Sequence, residues 1–137
     1  SLKVFSSNLK SVNISKTDVP GLIDELPLIA LLATQANGTT KVRDAEELRF
    51  KECDRIKAIC KNLINMGANI KELDDGFIIK GPTPLKATKI KTYDDHRIAM
   101  TFAIAGLISK EEIELDNPDC VSISFPKFYQ ELERLKK

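Results

Sequence analysis

Two short strings carry most of the reactive side chains of this sequence. Arg49-Phe50-Lys51-Glu52-Cys53-Asp54-Arg55 and Asp94-Asp95-His96-Arg97-Ile98-Ala99-Met100 each set cations and carboxylates in front of an apolar stretch with helical spacing. A helix origin already offers unpaired N–H groups and the positive end of a dipole. Lys and Arg placed there oppose that dipole, an arrangement that makes sense when an anion sits between them. The chemistry to expect is the binding of a phosphorylated or carboxylated small molecule beside groups that give and take a proton. Asp24 is a third element. It precedes Pro27 and the apolar run Leu28–Ala36, and an N-cap aspartate needs no further purpose.

Spacing sharpens the first string. If a helix begins near Leu48, Lys51 and Arg55 lie four apart on one face. That face is turned by about a quarter revolution from the core stripe through Ile59 and Leu63, so both side chains should point sideways to the rim of a cleft. The plainer reading is a solvated lattice of weak ion pairs among Lys51, Glu52, Asp54, Arg55 and Lys57. His96 alone is more often a structural histidine; Arg97 beside it, at a helix start, favours an anion site. Together these signals put Asp24, Lys51–Arg55 and His96–Arg97 at three helix origins.

The elements that must hold these groups follow from periodicity. Leu2–Leu9 and Ser11–Ser15 read as short strands, Asp18-Val19-Pro20-Gly21 as a turn, and Leu28–Ala36 as a buried helix capped by Asp24 and ended by Asn37-Gly38. Thr39–Arg43 reads as a strand. The helix from about Leu48 buries Ile56, Ile59, Cys60, Leu63 and Ile64 and stops at Gly67. Asn69–Leu73 and Phe77–Lys80 flank Asp74-Asp75-Gly76 as a β-hairpin. After the break Gly81-Pro82-Thr83-Pro84 the order partly repeats: strand Ala87–Tyr93, helix Asp95–Ile108, strand Glu112–Leu115, helix Phe125–Leu135. The repeat offset is about seventy positions, with Asp24 and Asp95 opening equivalent helices. The fold class is therefore α+β, with two related units over roughly 11–81 and 87–137, the second lacking a closing hairpin.

Composition bounds the partners. The 137 residues suffice for one domain with a hydrophobic core, and 42% apolar with 30% charged residues is ordinary for a globular chain. A net charge of +1 argues against a nucleic-acid partner. There is no bilayer-length apolar run and no signal-peptide pattern, so no membrane partner is expected. Three cysteines, Cys53, Cys60 and Cys120, are an odd count without zinc spacing; Cys53 and Cys60, seven apart, read as buried or semi-buried thiols, and a reducing cytoplasm is expected. One histidine excludes a His-rich metal site. The chain begins with Ser rather than Met, which leads us to expect an excised or processed piece.

The stretch Asp24–Ala36, the heptapeptide Arg49–Arg55, Asp95–Met100 and the ending Ser124-Phe125-Pro126 together resemble the 5-enolpyruvylshikimate-3-phosphate synthase family, in its order and approximate spacing over almost the whole chain. The resemblance implies βαβαββ units of an enolpyruvyl transferase domain, with the chain forming the C-terminal portion and an N-terminal domain missing. It implies transfer of the enolpyruvyl group of phosphoenolpyruvate to the 5-hydroxyl of shikimate 3-phosphate, with release of phosphate and with no metal or organic cofactor. By match, Asp24 would accept from the shikimate hydroxyls and deprotonate the attacking one. Lys51 would lie near both substrates, and Glu52 would handle the methylene proton. Arg55 and Arg97 would clamp phosphoenolpyruvate beside His96. Two positions depart from the pattern. Ile123 stands where many members carry a lysine, a role Lys127 does not inherit, and Glu47 stands where some have Asn, on the shikimate 3-phosphate side. The alternatives are a non-catalytic anion-binding domain of the same fold, or a fragment of the sister enzyme acting on UDP-N-acetylglucosamine; the Asp-His-Arg string argues against the latter.

Overall fold

A computed structural model describes residues 1–136; Lys137, the last residue of the expected second unit, lies outside the described residues. Eleven named strands and helices alternate along an α+β chain. In order they are β1 (Asn13–Ile14), α1 (Val19–Leu22), α2 (Leu26–Gln35), β2 (Gly38–Val42), α3 (Arg55–Asn65), β3 (Asn69–Leu73), β4 (Gly76–Gly81), β5 (Lys89–Ile90), α4 (His96–Ala105), β6 (Glu114–Leu115) and α5 (Phe128–Leu135), with 3-10 segments at Lys16–Asp18, Glu46–Phe50 and Pro118–Ile123.

The strands β1, β2, β3 and β4 make one sheet of order β1-β2-β4-β3, parallel between β1 and β2 and antiparallel elsewhere. The hairpin turns through Asp74-Asp75, and Gly76 is required there because a Cβ would run into the carbonyl of Val42. The strand faces alternate as pleating demands: Thr40, Val42, Phe77 and Ile79 are buried. α2 and α3 cover that face. β5 and β6 form a separate parallel pair. α4 lies against α2, α3 and the Pro118–Ile123 segment, so the two halves share one core running from Ile14 to Phe102 and Ala105. Asn62 of α3 fastens them further, donating to the Lys91 carbonyl at 2.9 Å and accepting from the Lys91 N–H at 3.1 Å.

Helix ends decide where the reactive side chains go. α3 starts at Arg55 because the Asp54 side chain accepts from Lys57 N–H at 3.0 Å. It ends in a Schellman motif: Gly67, at φ +88, lets Ala68 N–H reach the Leu63 carbonyl at 2.9 Å. α4 starts as expected behind Asp95, whose carboxylate accepts from the N–H groups of Arg97 and Ile98.

Several expectations are corrected. Leu2–Leu9 is not a strand; it pairs with no strand among the described residues, meeting only Asn37 through Leu9 and Lys10. Asp24 is not the cap of α2. The chain enters α2 already helical through Ile23 and Glu25, so no side-chain cap is needed and the Asp24 carboxylate is released for other partners. No helix begins at Leu48. A 3-10 turn closes over Glu46–Phe50, Lys51 is extended, and the α-helix waits for Asp54, so Lys51 and Arg55 do not share a helical face. Arg55 is also not at the rim: it is 1% exposed. Ile64 is exposed and Met66 is buried instead, because the Gly67 turn swings the chain end inward.

Candidate functional site

Arg55 is the centre of the arrangement. Its guanidinium donates from Nε to Asp95 Oδ2 at 2.9 Å, from Nη1 to Asp24 Oδ1 at 3.0 Å, and from Nη2 to Glu52 Oε2 at 2.6 Å and Asp95 Oδ1 at 3.3 Å. One cation thus gathers three carboxylates from three separate stretches of the chain. Burial works against the charge on Arg55, but the Asp95 hydrogen bond and charge, with Glu52 and Asp24 behind them, more than offset it. The guanidinium is held above its ordinary range.

The three carboxylates differ in what else they meet. Asp95 is fully buried, while the side chains of Asp24 and Glu52 are 46% and 49% exposed. Arg97, the second residue of α4, pairs with Glu25 at 3.2 Å and stands 3.8 Å from Asp24 Oδ2. Asp24, Glu25 and Arg97 form the polar wall of a cleft of about 330 Å³ whose other wall is apolar: Leu28, Met100, Ile104, Phe125 and Phe128. Lys51 leans the other way, donating to Glu47 Oε1 at 2.8 Å. That bond raises its pKa first of all; Asp24 adds attraction and Arg55 subtracts from it. His96 is the first residue of α4 and half-buried. Ile123 ends the Pro118–Ile123 turn with its side chain in solvent, and Lys127 is exposed in front of α5.

The structure therefore brings Asp24, Glu52, Arg55 and Arg97 into one connected cluster. Lys51 and Glu47 form a neighbouring pair, and neither they nor His96 line the cleft beside Arg97. Sequence reasoning missed Asp95, read only as a helix opener, and Glu25. The signal for Asp95 was available: a helix apolar nearly all round has its first turn buried too, and a carboxylate buried at its cap needs a cation. Among the described residues no group of His, Cys, Asp and Glu could hold a metal ion.

Comparison with known proteins gives the arrangement a context. The 3-phosphoshikimate 1-carboxyvinyltransferase of Persephonella marina is 51% identical over 131 residues, which is 96% of this chain and 30% of that protein. The solved EPSP synthase of Acinetobacter baumannii superposes with a TM-score of 0.88 at 36% identity, over 93% of this chain and 30% of that one. The enolpyruvyl transferase NikO of Streptomyces tendae, at 20% identity and a TM-score of 0.73, shares the fold. The fold is thus that of the enolpyruvyl transferases. The family model described as EPSP synthase (3-phosphoshikimate 1-carboxyvinyltransferase) matches residues 2–132, and the chain belongs to that family. It spans about a third of the length of the curated relatives it matches.

Proposed function

We propose that this chain is the C-terminal portion of a cytoplasmic transferase that moves the enolpyruvyl group of phosphoenolpyruvate onto the 5-hydroxyl of shikimate 3-phosphate, and that it is inactive alone. Its βαβαββ unit and the shorter run after it are two units of one enolpyruvyl transferase domain. The missing partner is the remainder of the enzyme.

The observation that carries the reading is the Arg55 cluster. Addition–elimination needs a base for the attacking hydroxyl, an acid for the methylene carbon, and cations for a phosphate and a carboxylate whose charges change. Asp24 and Glu52 are two carboxylates from different elements, each half in solvent and each held by one end of the same buried guanidinium. The 5-hydroxyl oxygen bonds to the substituted enol carbon as its proton goes to Asp24, while Glu52 delivers a proton to the methylene carbon. In the second half the C–O bond to phosphate breaks, a methyl proton returns to Glu52, the double bond re-forms, and the departing phosphate takes away the proton held by Asp24. Arg97, with Arg55 behind it, meets the phosphate and carboxylate; Lys51 and Glu47 serve the shikimate 3-phosphate side, and His96 stands beside Arg97. Four carboxylates (Asp24, Glu25, Glu52, Asp95) share this region with two guanidiniums. That balance repels an anionic substrate, which supports a need for further cations from the rest of the enzyme.

The test is reconstitution of this chain with the remaining two-thirds of a relative's length. Phosphate release from the two substrates supports the reading; substrate binding with no turnover would instead favour a non-catalytic anion-binding domain. In the reconstituted enzyme Glu52→Gln should lower kcat by about 10²- to 10⁴-fold with shikimate 3-phosphate affinity nearly unchanged. Wild-type turnover in that variant removes Glu52 from the chemistry.

A further inference from the structure

We propose that Asp95 is a positioning residue, setting the two reactive strings against each other through a single carboxylate. Its Oδ2 takes Arg55 Nε at 2.9 Å, and its Oδ1 takes Arg55 Nη2 at 3.3 Å. The same Oδ1 takes the N–H groups of Arg97 at 2.9 Å and of Ile98 at 3.3 Å. The Cys53 thiol adds a contact at 3.4 Å to Oδ2. Asp95 is 0% exposed and faces no solvent, so it does not meet substrate. It grips the guanidinium along its Nε–Nη2 edge, sharing Nη2 with Glu52 and leaving Nη1 to Asp24. Because it also caps α4, the position of Arg97 and the rotation of Arg55 are fixed by one group. A bidentate grip on a planar guanidinium fixes orientation as well as charge.

This inference rests on the transferase reading for its kinetic consequence, and stands on its own for its structural one. Asp95→Asn keeps an oxygen for the helix cap but loses the charge and half of the fork. The cluster around Arg55 becomes less negative, so an anionic substrate is not repelled more. The expected signature is a split: kcat falls at least tenfold while KM for phosphoenolpyruvate stays level or drops. A side chain that only held the fold would not move the two apart. Asn62→Ala is the control, since Asn62 is the other buried tie between α3 and the strand leading to α4, and it touches no member of the cluster. It should lower the melting temperature with kcat and KM within about twofold of wild type, assayed well below melting.

A second readout needs no turnover. In the ¹⁵N-labelled 137-residue chain, the Arg55 Nε–H should exchange with water at least tenfold more slowly than that of Arg134, whose side chain is 70% exposed. Asp95→Asn should abolish that protection and Asn62→Ala should keep it. Protection that survives Asp95→Asn, or that is lost equally in Asn62→Ala, overturns the proposal. So does a kcat loss that merely tracks melting temperature in both variants. Asp95→Ser, which also caps a helix, covers the case in which Asp95→Asn does not fold; if neither folds, Asp95 serves stability alone and the proposal falls. A wild-type enzyme that folds but never turns over sinks the transferase reading, and the exchange measurement then decides the positioning role.

Discussion

Arg49 and Arg55 stand six residues apart in one heptapeptide, and both donate to several acceptors, yet they are built for different work. Arg49 sews a turn to a hairpin. It donates from Nε to the Asp74 carbonyl at 2.7 Å and from Nη2 to the Leu73 carbonyl at 2.7 Å and Glu72 Oε1 at 3.0 Å, and from Nη1 to Asp54 Oδ2 at 2.8 Å. Half of its partners are backbone carbonyls, which do not move or change charge, and 22% of its side chain faces water. Arg55 touches no carbonyl. It meets three carboxylates, so its surroundings carry surplus negative charge, and two of those groups open to solvent. A cation whose partners are fixed dipoles is a rivet. One that holds more carboxylates than it can neutralise leaves a local surplus of negative charge that a further cation can meet. Spacing in the sequence does not distinguish the two; the acceptors do.

The largest expected effect tests that contrast. Arg55→Ala strands Asp95, fully buried, with only its cap hydrogen bonds and the Cys53 thiol. Removing one partner of a buried pair costs about 3–5 kcal/mol. Arg49→Ala leaves carbonyls and half-open carboxylates that water can reach, for a cost of about 1 kcal/mol. Urea unfolding of the two variants measures both numbers. Equal losses would erase the distinction between rivet and hub.

A smaller effect separates the two regions by pH. At the hairpin end, the N–H of Asp44 and then the Arg43 guanidinium, against some burial, hold the Asp75 carboxyl below the usual carboxylate range. Near α4, burial would raise the Asp116 carboxyl, but the N–H and hydroxyl of Thr92 outweigh it and its pKa is lowered too. A carboxyl depressed on folding adds stability above its unfolded pKa of about 4, and that stability drains away as pH falls through the folded value. The melting temperature should therefore fall below about pH 4. Asp75→Asn and Asp116→Asn should each flatten that acid limb. A limb unchanged in both variants would show that these two carboxyls do not set the acid sensitivity.

Much of this was legible in the chain. Asp95 before Ile98, Ala99 and Phe102 announces α4, because an N-cap followed by an apolar helical face has few other readings. The hairpin around Asp74-Asp75-Gly76 is equally plain from alternation and turn chemistry. The start of α3 was not legible. Leu48 carries the phase of an apolar stripe, but Leu48 is buried from a 3-10 turn, and Asp54, sitting inside a charged string, hides a cap. Asp24 misled in the opposite way: it has the right residue type for a cap, and only the helical entry through Ile23 and Glu25 frees it. Leu2–Leu9 alternates like a strand, but a strand needs a neighbour, and none among the described residues offers one. Convergence of Asp24, Glu52 and Arg97 could be expected from three helix origins; that a buried arginine joins them through Asp95 depends on tertiary packing that no local pattern encodes.

The smallest effect uses the two thiols as reporters, one for each arginine. Burial, then the charge and hydrogen bond of Asp95, push the Cys53 thiol up to about 12; burial, then the charge of Glu72, push Cys60 up to about 12. At pH 8 both thiols therefore keep their protons almost entirely. Thiolate is the reactive form, so neither should react measurably with a disulfide reagent while the fold is closed. Loss of Arg55 also removes a cation that draws the Cys53 thiol down. Any gain in reactivity must therefore come from water reaching this half-buried thiol through the opened wall and relieving its burial, the largest cause of its raised pKa. Cys60, on the core face of α3, stays buried. Arg55→Ala should therefore let Cys53 react well before Cys60, under conditions where the protein is still folded by circular dichroism. Arg49→Ala should leave both silent. If the two thiols instead react together in Arg55→Ala, the hub and the core behind it open as one unit, and Arg55 holds the domain rather than the cleft.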